Sequence, residues 1–195
     1  IAPITIEQNL KRKCPFIVEL RDVPFREQEF VLYYVADRLP NFFSGVLDAT
    51  GNGQYLAERA WQRYGKDRIE MLRITEKFYS ENLPPFKAAW EDKTFSCPKD
   101  ADVLTDLLTF QTINGVPKLP DTRSRQVAAS NNRSARRHGD AGIALLLGHY
   151  ASKKPIPVYE YQSVTKIQIA DNAQSDSNRY QKKNEMIKPK RFGIL

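Results

Sequence analysis

Asp48 is the residue to which this sequence most readily gives a chemical task. It ends an apolar run in SGVLDATGNGQYLAERAW, residues 44–61, and Gly51 and Gly53 follow before a helical pattern opens. Two kinds of site are written this way. A glycine-rich turn ahead of a helix can cradle a phosphate, because its backbone N–H groups can close on the anion. A carboxylate at a strand tip can instead hold a divalent cation, with glycines keeping side chains away from it. The phosphate reading fits poorly. A nucleotide loop places a lysine directly after its last glycine, and Gln54 stands there. A dinucleotide fingerprint needs a small residue where this chain has Leu56. Asp48 would also repel a phosphate unless a cation lay between them.

The metal reading requires a second carboxylate, and Asp140 is the candidate. In RRHGDAGIALLLGHY it opens an apolar helix, facing the site while Ile143, Leu146 and Leu147 pack. Each acid also has a plain role, Asp48 as a turn residue and Asp140 as a helix N-cap. Spacing alone favours neither metal role over the plain one. Asp22 reads as a turn residue before Pro24, and Asp102 and Asp106 as a solvated helix face.

The elements that must hold these acids follow from periodicity. CPFIVELRDVPF, SGVLDAT and DRIEMLRIT read as strands, and APITIEQN should pair antiparallel with FIVELRD around residues 9–13. REQEFVLYYVADRLP sets Phe30, Tyr33, Tyr34 and Leu39 near one helical face, closed by Pro40, and GQYLAERAWQRYG is a second helix stopped by Gly65. Strand, helix, strand, helix, strand implies crossover units and a largely parallel sheet. Further on, a short helix capped by Ser80 or Asn82 runs through Trp90 with prolines in its first turn, then KTFSCP is extended, DADVLTDLLTFQ helical, and NGVPKLP turns back.

Bulk composition sets limits. A chain of 195 residues suits one domain with an appendage. Two widely separated cysteines and two histidines argue against a structural zinc site and suggest a reducing, cytoplasmic setting. No apolar run reaches membrane-spanning length and no signal peptide is visible. Because the opening IAPITIEQ reads as a strand under way, a longer chain is expected upstream. The net charge is +7. After residue 150, nine Lys and Arg stand against four Asp and Glu, so much of the basicity belongs to the tail, expected over 153–195. A second basic cluster, RSRQVAASNNRSARRHGD, holds Arg123, Arg125, Arg133, Arg136 and Arg137 and fits either a polyanion contact or a solvated loop.

Four segments in order, GVLDATGNGQYLAE, RIEMLRITEKF, DADVLTDLLTFQ and RHGDAGIALLLGHYA, resemble the C-terminal nuclease domain of phage terminase large subunits, those of Mu-like phages and prophages above all. The resemblance covers nearly all of residues 1–152. It implies an RNase H-like α/β fold, a mixed central sheet flanked by helices, here lacking its first strand. It implies a two-metal endonuclease, using Mg²⁺ or Mn²⁺, that cuts concatemeric double-stranded DNA during packaging in the bacterial host cytoplasm. Asp48 matches the family's second acid and Asp140 its last. His138 lies in the same motif as Asp140, where it touches a phosphate or a metal-bound water, or is simply a loop histidine. Arg136 and Arg137 would grip phosphates beside the cut. The first acid is expected upstream of Ile1, and so is an N-terminal ATPase domain, since no Walker motif occurs here. The portal and the small terminase subunit are the implied partners. An inactive domain of the same fold, docking on DNA or the portal, is the alternative, and a nucleotide-binding α/β domain a third.

Overall fold

The computed structural model describes residues 1–120 and 139–155. The basic cluster with Arg125, Arg133, Arg136, Arg137 and His138, and the chain from 156 onward, lie outside the described residues. A hairpin forms, but its regular second strand falls at Arg12–Lys13, inside the expected turn, and not along FIVELRD. Strands β1 (Thr5–Ile6) and β2 (Arg12–Lys13) pair antiparallel with Thr5 opposite Lys13. Further along, Ile1 N donates to Val18 O at 2.7 Å and Val18 N to Ile1 O at 2.9 Å, so pairing resumes with the register slipped by one residue. Pro3 and Pro15 stand in between and have no N–H to give, which interrupts the ladder. The long strand expected from Cys14 to Phe25 is therefore an extended segment rather than a regular strand.

The crossover unit is as expected. Strand β3 (Gly45–Asp48), helix α2 (Gly53–Tyr64) and strand β4 (Ile69–Leu72) follow one another, with β3 and β4 parallel and Asp48 opposite Leu72. Gly65 ends α2 at a φ of 85°, a conformation open to glycine. A single central sheet is not what the described residues form. They give a three-stranded sheet in the order β1-β2-β5, where β5 is Phe95–Ser96 and parallel to β2, the β3-β4 pair, and an antiparallel pair of β6 (Gln111–Ile113) and β7 (Val116–Lys118). Asn114 and Gly115 turn the last pair, both at positive φ, as a two-residue hairpin requires. The class is mixed α/β.

Two helices depart from expectation. Helix α1 (Phe25–Ala36) leaves Phe30 and Tyr34 each 61% exposed. Its inner face carries Glu29 and Ala36 instead, because the neighbouring helix α2 offers polar partners. Glu29 accepts from Arg59 Nε (3.0 Å) and Tyr55 OH (2.8 Å), and Asp37 from Arg63 Nη2 and Tyr64 OH, both 2.7 Å. The Arg59 bond chiefly holds the Glu29 carboxyl below its ordinary range, and the Tyr64 bond does the same for Asp37. Helix α3 (Glu76–Glu91) starts earlier than predicted, with Thr75 Oγ1 accepting the Phe78 N–H at 3.2 Å, and Pro84 and Pro85 fall in its interior. Burial of Phe78, Leu83, Phe86 and Ala89 along one side offsets the hydrogen bonds that the prolines cannot make.

Helix α4 (Ala101–Leu107) is capped by Asp100, and helix α5 (Asp140–Ala151) is the centre of the fold. Leu145, Leu146 and Leu147 are successive and all buried. At 3.6 residues per turn they sweep more than half the circumference, which identifies a helix enclosed rather than laid on a surface. It packs on β3, α3 and α4. Gly148 allows the approach of the N-terminal segment, since a Cβ there would stand 2.7 Å from Ile4 Cγ1 and 3.2 Å from the Ala2 carbonyl oxygen.

His149, 2% exposed, lies against the rings of Phe86 and Phe95 with centroids 5.3 and 5.6 Å away. Burial, with Lys153 and Arg12 adding to it, pushes the imidazole from 6.5 down to about 4. The unfolded chain takes up this proton near pH 6.5 and the folded chain only near pH 4, so stability is fully present above 6.5 and declines as pH falls through that window. The decline is at most about 3 kcal/mol. Urea unfolding should show the wild-type midpoint falling between pH 7 and pH 5. In His149→Leu that fall should be markedly smaller. The window lies above the one in which protonation of Glu29 and Asp37 would contribute.

Candidate functional site: two carboxylates at the ends of β3 and α5

The turn from β3 to α2 fixes Asp48 at its base. Asp48 Oδ1 accepts the Thr50 N–H at 2.9 Å, an Asx turn, so the acid does fill the plain turn role. Gly51 has a φ of 56°, in the left-handed region. Gly53 is required for a different reason. A Cβ there would lie 2.3 Å from the Asp48 carbonyl oxygen, well inside any van der Waals contact. The glycines thus let α2 start directly over the backbone of Asp48. The side chain itself is half-buried.

Asp140 is exposed and is the first residue of α5. It is not the N-cap that spacing alone allowed, for that place is taken by Gly139 at a φ of 80°, with no side-chain cap bond. Gly139 is tightly housed, since a Cβ would come within 2.8 Å of Thr109 Oγ1 and 2.9 Å of Leu119 Cδ2. The helix end is satisfied from outside. Asp106 Oδ2 accepts the Ala141 N–H at 3.0 Å. Asp106 is 1% exposed, so the expected solvated face is overturned for this residue. Leu104 and Leu108 are the exposed side of α4 and its end, and Asp106 shares the inward side with Val103. The three-residue spacing of Val103 and Asp106 was the available signal, masked by Leu104, Leu107 and Leu108 around it.

Asp140 and Asp106 line one cavity of about 780 Å³. Its wall includes Leu47, the neighbour of Asp48 on β3, together with Ala144 of α5, and Glu19 and Asp22 border it as well. Asp22 has a φ of 53°, in keeping with a turn. Arg21 bonds Glu19 at 3.1 Å. The structure therefore brings Asp140, and the strand that ends in Asp48, to one region of the fold. Carboxylate oxygens suit a hard cation such as Mg²⁺ in kind. In number they fall short, because among the described residues no group of three or more His, Cys, Asp or Glu is placed to hold a metal ion. Cys14 is no ligand candidate. It is buried, its thiol is pushed up to about 11 chiefly by that burial, and it donates to the Phe16 carbonyl. Among the described residues no helix is long and apolar enough to cross a membrane.

No protein-family model and no solved structure matches the chain. Two curated proteins are similar to it. One is the Mu-like prophage FluMu protein gp28 of Haemophilus influenzae, 34% identical over 151 residues, which is 77% of this chain and 28% of that protein. The other is the probable terminase, large subunit gp28, of Escherichia phage Mu, 34% identical over 150 residues, which is 77% of this chain and 26% of that protein. The matched part of the chain thus spans little more than a quarter of the length of these relatives. Across that segment, the chain is a homologue of the gp28 proteins of Mu-like phages and prophages.

Proposed function

We propose that this chain is the nuclease part of a DNA-packaging terminase large subunit, with an RNase H-like arrangement and a metal-dependent cut of double-stranded DNA. The observation that carries the reading is the placement of Asp140 at a cavity whose wall includes Leu47, the residue before Asp48 on β3. The name of the phage Mu relative supports the packaging role. Asp48 and Asp140 would be oxygen ligands, and a further acid would come from the remainder of the longer protein. Bound divalent ions would supply an activated water and stabilise the leaving oxygen of the phosphodiester.

The chain's own residues do the positioning. Asp48 is anchored by its turn, with one carboxylate oxygen committed to Thr50. Asp140 stands at the first position of α5, so its place follows the start of that helix. Arg136 and Arg137, with Arg125 and Arg133 in the same cluster, would contact phosphates and so set register rather than sequence preference. His138, two residues before Asp140, would reach a phosphate or a water at the cut. The portal and the small terminase subunit would be partners of the whole protein, in the host cytoplasm.

The test is nicking of supercoiled plasmid with Mn²⁺ by the full-length protein that contains this segment. Asp48→Asn and Asp140→Asn should each lower the rate by about 10²-fold or more, with thermal midpoints close to wild type. Calorimetric titration with Mn²⁺ should lose its signal in both variants. Wild-type nicking by both would reject the nuclease reading and leave a docking role for the domain. A separate outcome follows from the turn. Gly53→Ala should destabilise the protein by about 2 kcal/mol or more through the clash with the Asp48 carbonyl, measurable by urea unfolding. Nicking at a temperature where the variant remains folded should fall as well, since Asp48 has to shift.

A further inference from the structure

Asp106 is a fully enclosed carboxylate that neither the expected acid pair nor the turn chemistry uses. It sits on α4, yet its Oδ2 bonds the amide of Ala141 on α5, 35 positions along the chain. Several features crowd around this bond. Gly142 has no Cβ, and one would lie 3.1 Å from the Asp106 carbonyl oxygen, so α5 meets α4 backbone to backbone. That same carbonyl accepts from Thr109 Oγ1 at 2.5 Å, and Thr109 in turn bounds the space around Gly139. Gly139, Ala141 and Gly142, which flank Asp140 on both sides, are each held against α4 or the segment just after it.

We propose that Asp106 is the positioning residue for Asp140, fixing the first turn of α5 so that the Asp140 carboxylate is held at the cavity. The proposal rests on the nuclease reading above. A helix end frays unless its first amides are satisfied, and α5 has no cap of its own from Gly139. A buried side-chain acceptor supplied by a neighbouring helix does that work by taking one of those amides directly. Asp106 lines the same cavity as Asp140 but touches it through the backbone of Ala141, so its influence passes through geometry. Displacement of a reacting group by about 1 Å is enough to cost on the order of 10²-fold in rate.

Two readouts test this in the full-length protein. The first is hydrogen exchange at the Ala141 amide, which does not depend on cleavage. Asp106→Ala should lose protection there, and Asp106→Asn, whose amide oxygen can still accept, should keep most of it. The second is Mn²⁺-dependent nicking. Asp106→Ala should lower kcat by about 10²-fold with KM little changed, and Asp106→Asn should restore most of the loss. Should the alanine variant not fold, Asp106→Leu keeps the branched shape without the acceptor and is expected to behave in the same way. Normal Ala141 protection in the alanine or leucine variant, or unchanged kcat in it while Asp140→Asn is inactive, overturns the proposal. So does loss of cleavage in an Asp106→Asn protein whose Ala141 amide is protected, which would place the charge itself in the reaction. If Asp140→Asn cleaves normally, the nuclease site falls and the proposal with it, whatever the exchange shows.

Discussion

The enclosure of α5 is the constraint on which the rest of the structure depends. A helix with Leu145, Leu146 and Leu147 all buried cannot rest on one partner. It needs walls on most sides, and the chain supplies them from α3, α4, β3 and the N-terminal segment. Among the described residues the strands are too short to form a core by stacking, two to four residues each. They act as the lining of a helix-centred core, to which Phe78, Leu83, Phe86 and Phe95 contribute the bulk. Close approach is bought with glycine rather than with shape alone, at Gly148 beside Ile4 and at Gly142 beside Asp106.

Enclosure has a consequence at both ends of the helix. At the C-terminal end it dehydrates His149 and keeps the imidazole neutral through the ordinary pH range. At the N-terminal end it would leave amides without water, and Asp106 answers that need. One end therefore stores an acid-sensitive weakness, while the other turns a packing requirement into a fixed position for Asp140. The same leucines are responsible for both, since they set how deeply the helix sits. A stabilising substitution at His149 and a destabilising one at Asp106 would act on one rigid body.

The sequence made α5 and the β3–α2–β4 crossover legible because each is local. Their signals are an unbroken apolar helix and an apolar run meeting glycines, whereas the helix read through DADVLTDLLTFQ stops at Leu107 and gives way to strand β6. What it did not reveal depends on partners distant in sequence. Phe30 and Tyr34 looked like an inner face of α1, yet Glu29 points inward because Arg59 and Tyr55 wait on α2. Ser80 and the prolines looked like a helix start, yet Thr75 caps α3 earlier and its buried side carries the helix past Pro84 and Pro85. Asp106 looked solvated for the same reason, since nothing near it in sequence announces the Ala141 amide. The candidate site followed this pattern: Asp48 and Asp140 could be named from local signals, whereas the residue that holds Asp140 could not.

Asp48 and Asp140 are held by opposite means, and the difference bears on how a site made from them would behave. Asp48 is fixed locally, by its own Asx bond to Thr50 and by a glycine whose missing side chain lets α2 press on its carbonyl. Its position is secured within a handful of residues of one crossover. Asp140 is fixed at a distance, through α4 and through the burial of the helix it begins. Loosening the core should therefore displace Asp140 before Asp48. A site that needs both carboxylates would lose its geometry from the α5 side first, which makes the α4–α5 contact the place where stability and chemistry are coupled.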